Sequence, residues 1–351
     1  MNNSKIIIIG AGLSGLVTAY LLQKKGIEVL VLEANITIGG RIQTLVETNG
    51  TSIEMGATWF GKQHPNLLEF LAELDLDYFK QHTKGTSLFE TMSFVPPQKF
   101  EIPDSDEPSY RLVGGTSSLI EKLAASIGLE NIKTDTKICT IRENGDQIEA
   151  KDSLENSYFA QKVIVTLPPN LAVNTIVYHP QLPQPLLNLA QNTHTWMGES
   201  IKFALAYTTP FWREKQYSGA LFSHVGIITE MYDHCTFDTK GFALKGFLNG
   251  GTNVLSKEER QSKVIQQLVQ CFGKEAENYT AYHEKVWRDE ALTFFPYEDL
   301  VMAHQNNGHD LYQKSFLNDK LHFAGSETAT QNPGYMDGAI VAAQTISSKL
   351  K

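Results

Sequence analysis

The chain has 351 residues, 42% of them apolar and 20% charged, and a formal net charge of −9 from 30 Lys and Arg against 39 Asp and Glu. That acidic balance excludes the concentrated positive field needed to hold a nucleic-acid backbone or an anionic membrane surface, and at roughly 150 residues per domain the length predicts about two domains. Cys139, Cys235 and Cys271 stand apart, with no C-x-x-C pair or Cys/His cluster, which excludes a disulfide framework and a structural zinc site and predicts a reduced, cytoplasmic setting.

The first residues, MNNSK, run directly into IIIIG with no leader-like apolar region, and no run approaches the roughly 18 apolar residues of a membrane span, so a soluble protein with no membrane partner is expected. Residues 5–33 have a β-α-β pattern. Ile6–Ile9 is a β-branched run of the kind buried on both faces, then come Gly10-Ala11-Gly12-Leu13-Ser14-Gly15, a helical stretch ending at Gly26, and a second strand at 27–32 closed by Glu33. Helices are predicted over 66–74 and Ser117–Ile127. Strands at 137–142 and 147–151 flank Asn144-Gly145, a strong hairpin signal, and 163–167 reads as another buried strand. Further strands are predicted at Ile201–Tyr207 and 241–248, an amphipathic helix at 257–271, a short strand at 321–324 and a terminal helix at 336–350. The proline-rich segments 96–108 and 180–185 are expected to cross between domains.

The G-x-G-x-x-G run lies between a strand and a helix, where a dinucleotide site needs it. Gly10 permits the turn, Gly12 lets a pyrophosphate approach, and Gly15 lets helix and strand pack closely. The N–H groups of the helix start, that of Ser14 included, then face the phosphates. Glu33, 18 residues after Gly15, is placed to accept hydrogen bonds from ribose hydroxyls. Gly39-Gly40-Arg41 follows, and an arginine there can reach back to the pyrophosphate.

The blocks GAGLSGL, VLEA, GGRIQT, MGATWFG (55–61), LVGGTSSL (112–119), VIVTLPP (163–169), IKFALAYTTPFWREKQYSG (201–219) and HFAGSETATQNPGYMDGAI (322–340) together resemble the flavin-containing amine oxidases, the monoamine oxidase family. The resemblance implies an α/β fold: a Rossmann-like FAD-binding domain, discontinuous in sequence (1–80, 116–175 and 290–351), with a smaller mixed α+β substrate domain (81–115 and 176–289). It also implies that Ser14, Glu33 and Arg41 hold the ADP half of FAD, that Ile138 offers backbone hydrogen bonds to adenine, and that Gly56, Ala57 and Thr58 lie along the flavin ring. Gly325, Glu327 and Met336 are implied at the ribityl-phosphate and pyrimidine end, where the start of the terminal helix would stabilise negative charge on the ring.

For the reaction itself the resemblance implies Lys202, bonded through water to flavin N5, Trp287 beside the flavin, and Tyr335 as one of two rings flanking the substrate amine. From alternation alone, Lys202 shares a strand face with Ala204 and Ala206 and looks either into a cavity or into solvent. Two departures stand out. Glu290 takes the position of the cysteine that links flavin covalently in many members, which implies non-covalent FAD. Ala291 takes that of the second ring, with Phe294 and Phe295 nearby. The segment 91–110 is also much shorter than the family's helical insertion, leaving the pocket open or closed by another subunit.

His304 and His309 flank a turn without an accompanying acid, so no metal is expected. The activity expected is oxidation of a primary or secondary amine, with oxygen as acceptor. A same-fold desaturase or isomerase for a larger apolar substrate, and a flavin-binding protein without turnover, stay open.

Overall fold

The computed structural model describes residues 6–48 and 50–350, so expectations that fall on residues 1–5 lie outside the described residues. Ile6–Ile9 forms the centre of a five-stranded parallel sheet in the order Leu321–Phe323, Lys162–Val165, Ile6–Ile9, Val29–Leu32, Ile132–Lys133. Its continuous apolar sequence follows from this position. Ile6 and Ile8 face a core shared with the helices Leu13–Lys24, Ser117–Ile127 and Met336–Lys349, while Ile7 and Ile9 face a second core on the other side of the sheet. A four-stranded sheet, Ser157–Ala160, Gln147–Asp152, Ile138–Asn144 and Val177–His179, closes that second core. The Asn144-Gly145 hairpin lies within it as predicted.

The second half is a seven-stranded sheet, ordered Tyr279–Val286, Ile201–Tyr207, Phe242–Leu248, Ile228–Asp233, Tyr217–Ser223, Thr86–Glu90, Gln98–Glu101. Alternation assigns its two faces. Ile201, Phe203, Leu205 and Tyr207 pack into a core covered by the helix Lys257–Phe272. That helix starts at a capping box in which the Ser256 hydroxyl accepts from the Glu259 N–H at 3.2 Å and the Glu259 carboxylate accepts from the Ser256 N–H at 2.8 Å. The opposite face carries Lys202, Ala204, Ala206 and Ala243, and the small side chains let the strand Ser52–Glu54 and Met55 pack directly on it.

Two segments differ from expectation. Residues 176–191, expected with the second unit, pack with the first: Val177–His179 pairs with Ile138–Asn144, and Leu182, Leu186 and Ala190 join the core beneath Ile7 and Ile9. The proline-rich stretch 96–108, expected as a crossing, contributes the exposed edge strand Gln98–Glu101, which tolerates nearby prolines because one side has no ladder to break. Among the described residues no helix is long and apolar enough to cross a membrane.

The loop after the second strand is tied to the loop after the last strand by one ion pair. Arg41 Nη1 lies 2.5 Å from Glu327 Oε1, Nη2 lies 3.0 Å from Oε2, and Nη2 also donates to the Ser326 hydroxyl at 2.8 Å. Burial pushes the Glu327 carboxyl up, but the Arg41 guanidinium and the Ser326 hydroxyl more than offset this and hold it below the ordinary carboxylate range. Because the folded value lies below the unfolded one, about 4.3, the stability from this pair is complete above that pH and is lost as pH falls through the folded value. Glu327→Gln should cost roughly 3 kcal/mol at neutral pH, the low end for a broken buried pair because Arg41 keeps a quarter of its side chain exposed. In urea denaturation the gap between variant and wild type should close on acidification; a gap independent of pH would remove the ion pair as its cause.

Candidate active site

A cavity of about 680 Å³ runs between the carboxyl end of the parallel sheet and the small-residue face of the seven-stranded sheet, a size within the usual range of ligand clefts. Its walls include Gly10, Gly12, Ser14, Glu33, Gly40, Arg41, Gly56, Ala57, Thr58, Ile138, Lys202, Trp287, Tyr335 and Met336. Residues spread over most of the chain are thus brought to one continuous space.

At the Glu33 end, the helix Leu13–Lys24 begins on Gly12 with no side-chain cap and no acid in its first turn. Its first N–H groups have no intrahelical acceptor and open toward the cavity, a ready site for an anion. Gly39 and Gly40 come up against this turn: the Gly39 N–H donates to the Ala11 carbonyl at 2.8 Å, and a Cβ on Gly40 (φ +58°) would lie 3.3 Å from Gly12 Cα. Glu33 closes the end of the cavity, its carboxylate accepting from the Ala11 N–H at 2.6 Å and the Asn35 N–H at 2.8 Å. Burial raises that carboxyl above its ordinary range in spite of these hydrogen bonds. The free helix start, the paired glycine turns and the carboxylate in sequence along one cleft fit a dinucleotide.

Gly15, Gly325 and Glu327 are set behind the cavity wall and do not line it. A Cβ on Gly15 would lie 1.9 Å from the Gly10 carbonyl oxygen, and one on Gly325 would lie 2.6 Å from the Leu167 carbonyl oxygen. Glu327 is fully buried and bound to Arg41, so any part it takes in holding a ligand passes through that arginine. The Ser14 hydroxyl is also committed, donating to the Ala324 carbonyl, which leaves its N–H for the cavity.

At the other end, three side chains of the seven-stranded sheet and its extension grip the segment Met55-Gly56-Ala57-Thr58. Trp287 Nε1 donates to the Met55 carbonyl at 2.9 Å, Lys202 Nζ donates to the Gly56 carbonyl, and Lys245 Nζ donates to the Thr58 hydroxyl. Lys202 is 5% exposed, so of its two possible outlooks it takes the cavity. Burial pushes its ammonium down to about 8, with Glu54 and Glu230 acting in the opposite direction. Lys245 was not foreseen. It pairs across the sheet with Ala204 on the same face and lies 4.4 Å from the Trp59 ring centroid. Burial lowers its ammonium far below the ordinary value, helped by Lys202, while burial raises the neighbouring Glu54 carboxyl.

Tyr335 and Met336 open the terminal helix, which has no side-chain cap. The carboxylate in its first turn, Asp337, accepts from the Leu67 N–H at 2.8 Å and from Asn66 at 3.1 Å and forms part of the same cavity wall. The second ring expected beside Tyr335 is met by Trp196, with centroids 5.3 Å apart and itself stacked on His304 at 4.1 Å, while the His64 and His304 rings also lie 5.5 Å and 5.7 Å from Tyr335. Phe294 and Phe295 do not supply that ring: Phe294 is buried against Tyr297, and neither lines the cavity. Trp196 lies in a loop without periodicity, so only its residue type could have drawn attention to it. Glu290 and Ala291 line the cavity, Glu290 paired with Lys285 at 2.7 Å. Among the described residues no group of three or more His, Cys, Asp or Glu could hold a metal ion.

Comparison with known proteins agrees with this geometry. The sequence profile described as flavin containing amine oxidoreductase matches residues 13–89 and 78–350. A probable flavin-containing monoamine oxidase A of Dictyostelium discoideum is 24% identical over 450 aligned residues, covering 99% of this chain and 97% of that protein. The flavin-containing amine oxidase B of Homo sapiens is 23% identical over 460, covering 99% of this chain and 86% of that protein. Among solved structures, a putrescine oxidase bound to putrescine superposes with a TM-score of 0.85 at 21% identity, covering 99% of both chains. The cyclohexylamine oxidase of Brevibacterium oxydans gives 0.86 at 20% identity, covering 99% of this chain and 98% of that one. The chain therefore belongs to the flavin containing amine oxidoreductase family, whose members are flavin-dependent oxidoreductases.

Proposed function

We propose that the protein is an FAD-dependent oxidase of primary or secondary amines and that it holds FAD without a covalent bond. The observation that carries this reading is the meeting, at one end of a dinucleotide-shaped cavity, of a buried lysine, the Trp287-pinned segment 55–58 and the paired rings of Tyr335 and Trp196. The chemistry FAD supplies when bound is acceptance at N5 of hydride from the amine α-carbon and delivery of the electrons to oxygen, giving hydrogen peroxide and an imine that hydrolyses to a carbonyl compound.

The first helix start and Arg41 would hold the pyrophosphate, Glu33 the ribose and the Ile138 backbone the adenine. Gly56, Ala57 and Thr58 would lie along the flavin ring, with Gly56 packed so closely on the backbone of Arg41 that a Cβ there would lie 2.2 Å from its carbonyl oxygen. Tyr335 and Trp196 would orient the amine nitrogen and exclude water around it. A substrate that binds as the neutral amine needs no strong base to release hydride from its α-carbon. Three unpaired cysteines support a reducing, cytoplasmic location.

The non-covalent reading rests on Glu290, a carboxylate already ion-paired with Lys285. Acid precipitation should release the yellow cofactor as FAD into the supernatant; colour retained in the pellet would overturn it. Lys202 supplies a second test. Below about 8 it carries a proton and can stabilise charge developing on oxygen, and above that value it is neutral. Reoxidation by oxygen should therefore fall as pH rises through about 8. In Lys202→Met it should be slower by about 100-fold, without that pH dependence, while anaerobic reduction by an amine changes less. Equal reoxidation rates in variant and wild type would remove Lys202 from the reaction.

A further inference from the structure

One polar atom on the cavity wall has no part in the proposed reaction. His64 is 7% exposed and lines the cavity. It ends a tight turn that leads from the segment 55–58 into the helix Pro65–Glu73: its N–H donates to the Gly61 carbonyl at 2.9 Å, and its Nδ1 accepts from the Gly61 N–H at 3.2 Å. Burial holds the imidazole below its ordinary range, with Asp337 acting in the opposite direction, so the ring is neutral at neutral pH and carries one N–H. Because Nδ1 accepts, the hydrogen-bond pattern assigns that hydrogen to Nε2. Among the described residues Nε2 makes no hydrogen bond, yet it is not sealed within the protein, and the space that His64 borders is the cavity.

The turn is held from two sides. Asn332 Nδ2 donates to the Gln63 carbonyl at 3.1 Å, and Asp337 accepts from the Leu67 N–H at 2.8 Å, so the turn is tied to the start of the terminal helix as well as to the segment 55–58. Those are the two segments assigned above to the flavin ring, and His64 joins them, its ring 5.5 Å from that of Tyr335. Closing the turn needs one acceptor only, which an Asn or Asp side chain would provide. The imidazole supplies that acceptor and keeps a fixed donor on its far edge, in a largely buried place where an N–H without a partner costs free energy. The substrate nitrogen does not fit as its acceptor, because a hydrogen bond to the lone pair of a neutral amine would hold back the electrons that expel hydride. A carbonyl oxygen of the flavin ring does fit, since negative charge moves onto the pyrimidine edge when the ring is reduced.

We propose that His64 Nε2 donates a hydrogen bond to a carbonyl oxygen on the pyrimidine edge of FAD and thereby stabilises the reduced cofactor. The proposal rests on the FAD reading above and adds to it a residue that tunes the cofactor. The bond is stronger to the reduced ring than to the oxidised one, so His64 raises the reduction potential more than it tightens binding of oxidised FAD.

The test uses the FAD-loaded enzyme and reads its reduction potential by anaerobic titration against a reference dye, with the thermal midpoint of the apoprotein as a control for the turn. His64→Asn keeps an acceptor for the Gly61 N–H and removes the distal donor, whereas His64→Gln brings an amide N–H near the position of Nε2. In His64→Asn the equilibrium between reduced and oxidised cofactor should fall about tenfold, a potential about 30 mV lower, while the apoprotein midpoint stays at the wild-type value. His64→Gln should recover most of that shift. A wild-type potential in His64→Asn, or a His64→Gln no closer to wild type than His64→Asn, overturns the proposal, and bleaching of the same loaded enzyme by an amine would leave the amine-oxidase reading standing. A potential that falls only together with the apoprotein midpoint marks a structural role and overturns it as well. A wild type that binds no FAD overturns both readings.

Discussion

The position of one four-residue segment governs the rest of this molecule. Met55-Gly56-Ala57-Thr58 leaves the strand Ser52–Glu54 and is held from the seven-stranded sheet by Trp287, Lys202 and Lys245, one hydrogen bond to each of three residues. These bonds fix the distance between the parallel sheet with its helix start and the sheet that forms the floor, and hence the width of the cavity. Two of the three donors are buried lysines, which is a costly choice for a purely mechanical clamp. An apolar pair of similar volume would hold the halves together with no desolvation penalty. A buried ammonium facing the ligand space makes physical sense where charge develops there during reaction, and of the two lysines it is Lys202 that lines the cavity.

The nucleotide half was largely legible in the sequence because its determinants are local. Ile6–Ile9, the glycine run, the first helix and Glu33 follow one another within a single β-α-β unit, and each is set by near neighbours. The seven-stranded sheet was read only at Ile201–Tyr207 and 241–248, since its remaining strands are interrupted by polar residues, and its two edge pairings, Tyr279–Val286 on Ile201–Tyr207 and Thr86–Glu90 on Tyr217–Ser223, join segments far apart in sequence. Thr86–Glu90 pairs parallel with Tyr217–Ser223 across more than a hundred residues, and nothing in either segment names the other. The same reason hid the boundary at 176: Tyr178 and Leu186 look like any apolar pair until the core beneath Ile7 and Ile9 is assembled.

Within the site, the sequence identified the residues of the walls better than their manner of working. Gly325 and Glu327 belong to a specific block, yet one packs on a carbonyl and the other anchors Arg41 without lining the cavity. Lys245 required register to be noticed, because a lysine in an otherwise apolar strand reads as an exposed one until Ala204 is placed opposite it. Glu230 required more than register. Simple alternation from Ile228 assigns it to the core face, and only the extra residue at Thr229 reverses that assignment.

The Tyr335 end of the cavity shows how the lining of a fold can change without its scaffold moving. Where the family resemblance places a second ring at position 291, this chain has Ala291, and Trp196 lies beside Tyr335 instead, with His304 stacked on both rings. Moving the ring to another segment leaves the space around Ala291 free and shifts the aromatic wall to one side of the cavity. A small side chain at 291 and a bulge that turns Glu230 inward act together: the first makes room along the floor of the sheet, and the second gives that room a polarity.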